Sequence, residues 1–148
     1  MKKLIKNYTT TVPAEKSLQE IQTLLANNGA TGIAFDYKDG QVTSIFFKIN
    51  YNNQVLPFRL PVNPQKVYRA LFGDLVGQNN QAWVIQRRSK ANNIAFRICK
   101  DWLEAQLTHV NLEQAQIQEV FLPYLVTGEN QTLYEKLEAS QFLLKGGE

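Results

Sequence analysis

Cysteine and histidine are almost absent from this sequence, which contains one residue of each, Cys99 and His109. A single thiol cannot form a disulfide within the chain, so the fold must be stabilised by its apolar core. A zinc site would have to consist mostly of carboxylates, which is unusual for a structural zinc ion. If both residues lie on one helix, they are about 15 Å apart along its axis, too far for a nucleophile and its base. We therefore expect no metal site and no Cys–His catalytic pair.

Nucleotide-binding and hydrolase motifs are also missing. The segment 73–80 contains the glycines of a phosphate-binding loop but lacks its lysine, and no GxGxxG, HExxH, CxxC or EF-hand pattern occurs. Two carboxylate pairs have the spacing of an acid and a base on one helical face. These pairs are Asp101 with Glu104 and Glu135 with Glu138.

Nearby cations favour an ordinary ion-pair interpretation for the first of these pairs. Arg97 precedes Asp101 by four residues, and Lys100 precedes Glu104 by four. Residues at this spacing are neighbours on a helix surface. We therefore expect a protein that is not an enzyme and that uses no cofactor.

Long hydrophobic runs do not occur. A membrane-spanning helix needs roughly 18 consecutive apolar residues, and no segment approaches that length. The basic start of the chain is followed by polar residues 8–11 rather than by the apolar stretch of a signal peptide. We therefore expect no contact with a membrane and a location in the cytoplasm.

The composition is typical of a folded protein. The chain has 148 residues, of which 44% are hydrophobic, 11% aromatic and 20% charged. This is enough apolar surface to exclude a chain that is disordered throughout. No linker or repeat interrupts it, so we expect a single domain over 1–148.

The first half of the chain indicates a helix followed by an antiparallel meander. Residues 4–12 favour an extended conformation, and Ser17 with Glu20 has the pattern of a capping box for a helix that ends at 27–29. Three alternating segments follow, separated by turn signals at 39–40 and 52–53. Pro57 indicates that the third strand lies at a sheet edge or carries a bulge.

The second half is predicted to be helical. Asn63 and Pro64 begin a helix with Val67, Leu71 and Leu75 as its buried stripe, ending near Gly73 or Gly77. The longest periodic run covers about 83–109. Its predicted buried stripe is Ala91, Ala95, Ile98, Trp102 and Ala105, with a broad adjoining face of Phe96, Cys99, Leu103 and Leu107.

Two shorter helices complete the predicted fold. Asn111 can begin one that ends before Pro123, and Thr132 with Glu135 forms a capping box for the last. The prediction is an α+β fold, in which a three- to four-stranded antiparallel sheet packs against helices and one long helix is central. The breadth of the apolar face on the long helix leaves a homodimer open.

Charge of one sign is concentrated in the middle of the chain. The net charge is only +3, but residues 48–100 contain nine basic residues and one acidic residue, whereas 101–148 contain two basic and eight acidic residues. Arginine and lysine neutralise phosphates, and an exposed tryptophan stacks on an unpaired base. The candidate nucleic-acid-binding residues are Trp83, Arg87, Arg88 and Lys90, supported by Arg59, Lys66, Arg69, Arg97 and Lys100.

Three interpretations of this basic region stay open. It can bind nucleic acid or another phosphate-bearing ligand, it can be a solvated face or one paired with the acidic part of the same chain, or it can bind an acidic protein. Aromatic residues of the strands give a similar choice between base stacking and the core, and the core is the more common place for them. They are Tyr37, Phe46, Tyr51 and Phe58.

Several short segments resemble a family of small uncharacterised bacteriophage and prophage proteins. They are 6–10 (KNYTT), 58–61 (FRLP), 100–107 (KDWLEAQL), 119–124 (EVFLPY) and 132–135 (TLYE). The resemblance implies an accessory protein that acts in the cytoplasm of a bacterial host, and it carries no catalytic residues. Such a protein either handles nucleic acid in phage replication, recombination or expression, or acts against host defence by binding an effector protein or sequestering a signalling nucleotide. We prefer the first of these functions and keep the second as the alternative.

Overall fold

One helix, three consecutive strands and a series of helices follow each other in the part of the chain that the computed structural model describes, residues 4–74 and 81–143. The helices are α1 (Ala14–Asn27), α2 (Pro64–Phe72), α3 (Ala82–Asn111), α4 (Ile117–Val120) and α5 (Leu133–Ala139), and the strands are β1 (Gly32–Lys38), β2 (Gln41–Tyr51) and β3 (Gln54–Arg59). The predicted α+β class and its long helix are confirmed. The prediction for Leu75 lies outside the described residues.

The sheet is an antiparallel meander in the order β1-β2-β3. Both connecting turns have positive φ at their two central residues, 53° and 77° at Asp39 and Gly40 and 48° and 62° at Asn52 and Asn53. Asn, Asp and Gly tolerate this conformation, which is why they dominate two-residue hairpin turns. Pro57 lies in the edge strand β3, as predicted, and its carbonyl accepts a hydrogen bond from the Val126 amide at 2.8 Å.

One buried cluster joins the sheet to the helices. The alternation along β2 places Ile45, Phe47 and Ile49 on the buried face. The Phe47 ring stacks on Phe58 at 5.1 Å between centroids and meets the edge of Phe121 at 5.2 Å. The other buried members of the cluster are Ile21, Leu25, Leu60, Phe96, Cys99, Leu103 and Leu107.

The buried face of α3 contains all of the predicted adjoining face but only part of the predicted stripe. Phe96, Cys99, Leu103 and Leu107 are buried, as are Ala91 and Ala95 of the predicted stripe. Ile98 and Trp102 are only half-buried and Ala105 is exposed, so the second half of that stripe was placed too far round the helix. Both rows have spacings of three and four residues, and the periodicity alone does not distinguish them.

The N-terminal segment is a turn rather than an extended strand. Asn7 has a φ of 65°, and the Thr10 amide donates to the Asn7 carbonyl at 3.0 Å. The Asn7 side-chain amide donates to the Asp101 carboxylate of α3 at 2.8 Å. The extended prediction for 4–12 is wrong at residues 6–9, which form the turn, and the contact with Asp101 spans 94 residues, so local propensity carries no information about it.

The predicted helix starts have mixed outcomes. The Asn63 cap of α2 and the Thr132–Glu135 capping box of α5 are confirmed. The Ser17–Glu20 box is wrong, because α1 begins at Ala14 and Ser17 is fully buried inside it. Asn111 is the last residue of α3 rather than the cap of α4.

The Cys99 thiol is buried on the core face of α3, and burial raises its pKa to about 12. The thiolate is the reactive form of cysteine, and a buried neutral thiol is inert. We expect the native protein to resist a thiol reagent at mildly alkaline pH and to react with one equivalent in denaturant. Native labelling at the rate of a small free thiol would contradict the described packing.

Candidate nucleic-acid interface

Two of the predicted cations join α1 to α3 instead of facing a ligand. The Arg97 guanidinium donates to the Glu20 carboxylate at 2.7 Å and lies 3.5 Å from the Ser17 hydroxyl. Lys100 lies 2.8 Å from Glu104 of the same helix and 3.9 Å from Glu20 of α1, and its side chain is only 14% exposed. Partly buried ion pairs of this kind are costly to break. We therefore remove Arg97 and Lys100 from the candidate interface.

Arg59 is neutralised in the same way by the acidic part of the chain. Its guanidinium donates to the Glu135 carboxylate of α5. The Glu135 carboxylate also accepts the Thr132 amide at 2.9 Å, and this bond, with smaller help from Arg59 and against partial burial, holds the pKa of Glu135 below its ordinary value. The acidic part of the chain, 101–148, thus pairs with Arg59 and with Lys100, as one of the open interpretations proposed, whereas Arg97 contacts Glu20 of α1.

Asp101 connects the N-terminal turn to α3, and this connection makes stability depend on pH. Partial burial raises the pKa of Asp101, but the hydrogen bond from Asn7 and the charges of Lys6, Lys100 and Arg97 outweigh it and hold the pKa below the ordinary value. A carboxyl group with a lowered folded-state pKa stabilises the fold above its unfolded pKa of about 4 and loses that contribution as the pH falls through the folded value.

We therefore expect the free energy of unfolding to decrease less between about pH 5 and pH 3 in Asp101→Asn than in the wild type. Urea titrations across this range measure the difference. Asp36→Asn, at an exposed position of β1, is the matched control and should follow the wild type. An identical pH dependence for Asp101→Asn and the wild type would show that Asp101 contributes nothing through its charge.

Arg87, in the first half of α3, contacts aromatic rings rather than a carboxylate. The Arg87 guanidinium lies over the rings of Phe72 and Trp83, 5.0 Å from each centroid. Trp83 is 45% exposed, and its indole N–H donates to the Gln81 side chain. Stacking occupies the faces of a guanidinium and leaves its in-plane N–H groups as donors. The two rings therefore hold the Arg87 side chain in place without neutralising its charge.

Arg87 and Arg88 point in different directions from α3, although they are adjacent in sequence. Successive residues of a helix point about 100° apart. Trp83, Arg87 and Lys90 have spacings of four and three and share one side of α3. Arg88 instead lines a cleft between α2, α3 and the β1–β2 turn. The prediction treated Arg87, Arg88 and Lys90 as one cluster, and the helix geometry divides them.

The cleft, which we call the hairpin–helix cleft, has a volume of about 540 Å³. Its basic residues are Lys38, Arg69 and Arg88. A hydrogen bond of 2.5 Å from Asn92 of α3 to Gln41 of β2 connects two of its walls. Sequence reasoning missed Lys38, Gln41 and Asn92, since only the packing of the hairpin against α3 brings them to Arg88.

The two predicted cations of α2 are both exposed. Arg69 lies 3.2 Å from Asp74, in a pair whose side chains are 68% and 81% exposed. Such a pair contributes little to stability and can open for another anion. Lys66, Arg87, Arg88 and Lys90 have no acidic side chain within 4.0 Å among residues 4–74 and 81–143.

The strand aromatics are divided between core and surface. Phe58 is buried in the core, whereas Tyr37 and Tyr51 are 65% and 42% exposed. Phe46 is half-buried opposite Ala34 and Arg59 in the register. The preference for the core is thus right for Phe58 and wrong for Tyr37 and Tyr51.

Membrane-spanning helices and metal-ligand clusters are both absent from residues 4–74 and 81–143. None of their helices combines the length and apolar character needed to cross a bilayer. No cluster of three or more metal-ligating side chains occurs in the same residues. No family model, curated protein or solved structure matches the chain.

Proposed function

We propose that the chain binds nucleic acid, without catalysing a reaction on it, through the basic surface formed by Phe72, Trp83, Arg87 and Lys90. The observation that supports this proposal most is the division of the cations into those with an acidic partner and those without one. Arg59 and Arg97 are held by acidic side chains of other elements and Lys100 by Glu104 of its own helix, whereas Arg87 and Lys90 have no acidic partner among the described residues. Uncompensated cations on a rigid helix are suited to phosphate contacts.

Three residues of the basic surface have defined roles in this proposal. Arg87 and Lys90 contact successive phosphates and release their counterions. The exposed Trp83 ring, fixed by Arg87 on one side, stacks on an unpaired base. Because a base in a duplex is already stacked, single-stranded DNA or RNA is the preferred partner.

The proposed setting is a bacteriophage or prophage protein that assists replication, recombination or expression in the bacterial cytoplasm. A domain in this role needs no catalytic residues, since positioning a strand depends on affinity alone. The alternative, binding of a host effector or signalling nucleotide, has one specific observation in its favour, the hairpin–helix cleft.

Titration of the protein against labelled single-stranded DNA, duplex DNA and RNA at two salt concentrations tests the proposal. We expect micromolar or tighter binding to the single strands, weaker binding to the duplex and a steep loss between roughly 50 and 200 mM salt. Absence of binding at the lower salt concentration would overturn the proposed function.

A further inference from the structure

We propose that the hairpin–helix cleft binds one nucleoside phosphate unit, either a free nucleotide or the terminal nucleotide of a strand. The strand-end form rests on the proposed function, and the free-nucleotide form does not. Nothing in the sequence motifs indicates this site, because its walls come from three elements distant in the chain. The inference depends on the size, charge and lining of the cleft.

The size of the cleft suits a small molecule. Its volume of about 540 Å³ lies within the roughly 300–1,000 Å³ that is usual for small-ligand sites. The β1–β2 turn forms one wall, α2 the second and α3 the third. The Asn92–Gln41 hydrogen bond joins the first and third walls.

The charges around the cleft favour an anionic group near Arg88. The lining contains the cations Lys38, Arg69 and Arg88 and the carboxylates Asp39 and Asp74. Asp74 already contacts Arg69 at 3.2 Å, whereas Arg88 has no acidic side chain within 4.0 Å among the described residues. A phosphate monoester carries a charge of about −1.5 to −2 near neutral pH and accepts paired N–H donors from arginine.

The rest of the lining fits a base and a sugar. Tyr68 and Ala91 are buried and Val42 is half-buried, which gives the cleft an apolar side. Gln41 and Asn92 supply amide groups that can donate to and accept from the edge of a base. The lining therefore combines an apolar side and amide groups with two cations, Lys38 and Arg88, that have no acidic side chain within 4.0 Å among the described residues.

The cleft and the basic surface can be tested separately, because Arg88 belongs to one and Lys90 to the other. Arg88→Gln removes the charge from the cleft. Gln65→Glu adds a negative charge to the cleft at an exposed position of α2. The matched controls are Lys90→Gln on the basic surface and Gln22→Glu on the exposed side of α1.

Backbone amide chemical shifts are recorded while the four nucleoside 5′-monophosphates, and inorganic phosphate as a comparison, are added to millimolar concentration. We expect at least one monophosphate to shift the amides of residues 38–43 and 88–92 and to bind more tightly than inorganic phosphate. Arg88→Gln and Gln65→Glu should weaken this binding about tenfold, and both controls should stay within about twofold of the wild type. Absence of shifts at these amides, or equal affinity for inorganic phosphate, would overturn the proposal.

Oligonucleotides that differ only in a 5′-phosphate distinguish a strand end from a free nucleotide as the ligand of the cleft. Tighter binding of the phosphorylated strand, lost in Arg88→Gln, supports a strand end in the cleft. Equal binding of both strands, with monophosphates still occupying the cleft, supports a free nucleotide. Salt-dependent strand binding without chemical-shift changes at the cleft amides would overturn this inference and leave the proposed function standing. Chemical-shift changes at the cleft amides on addition of monophosphates, without any strand binding, would support this inference and overturn the proposed function.

Discussion

The double charge reversal Arg87→Glu/Lys90→Glu is expected to weaken binding to single-stranded DNA by at least about a hundredfold at low salt. A hydrogen bond to a charged group contributes about 1.5–3 kcal/mol, and two are lost while two repulsive charges are added. Fluorescence anisotropy with a labelled oligonucleotide measures the loss. The fold should be unchanged, since both side chains are exposed.

The control for this variant makes the same change in net charge elsewhere. Lys16→Glu/Lys136→Glu reverses two exposed lysines on α1 and α5. We expect it to weaken binding by less than about tenfold, through the long-range field alone. Equal losses in the two double variants would mean that net charge, rather than the basic surface, accounts for binding.

The largest expected effect on stability comes from Phe121→Ala. Phe121 is fully buried, and its ring lies 5.2 Å from that of Phe47, 6.1 Å from Phe58 and 5.9 Å from Trp102. Truncation of a buried phenylalanine costs about 3–5 kcal/mol, which for a chain of this length lowers the melting temperature by about 2–4 °C per kcal/mol.

Urea titration monitored by circular dichroism measures this loss, and Phe142→Ala is the comparison. Phe142 is 55% exposed and contacts Tyr134 at 5.8 Å between ring centroids, so its truncation should cost less than about 1 kcal/mol. A loss for Phe121→Ala as small as that for Phe142→Ala would contradict the aromatic cluster as the centre of the core.

The parts of the fold that depend on local chemistry were predictable from the sequence. The turns at Asp39–Gly40 and Asn52–Asn53 need residues that tolerate positive φ, and these residue types are recognisable without a structure. The Asn63 cap and the end of α2 at Gly73 have the same local origin. The long helix α3 was predictable because thirty residues of consistent periodicity leave little room for another interpretation.

Predictions failed where a distant partner decided the outcome. Ser17 and Glu20 have the spacing of a capping box, but both instead meet Arg97, 80 and 77 residues further along the chain. Asn7 was assigned to an extended segment, but its contact with Asp101 spans 94 residues. One sequence contains no direct signal for such pairs.

The candidate site was predictable only in part for the same reason. The cluster of cations in 48–100 was recognisable in the sequence. Which of these cations have an acidic partner depends on how the helices pack together. Arg97 is four residues before Asp101 and was expected to pair with it, whereas the guanidinium contacts Glu20 of α1. The separation of Arg87 from Arg88 follows from helix geometry, but what each contacts depends on the position of α2.

The central claim is that Arg87 and Lys90 contact phosphates whereas Lys100 does not. The salt dependence of single-stranded DNA binding in three variants, each with one cation replaced by glutamine, tests it most directly. The slope of log K against log salt measures the number of phosphates that the protein neutralises, at about 0.7 per contact for a single strand. We expect Arg87→Gln and Lys90→Gln each to reduce the slope by about that amount, and Lys100→Gln, whose lysine is held by Glu104, to leave it unchanged. A slope that falls in Lys100→Gln and not in the other two would contradict the division of cations on which the proposed function depends.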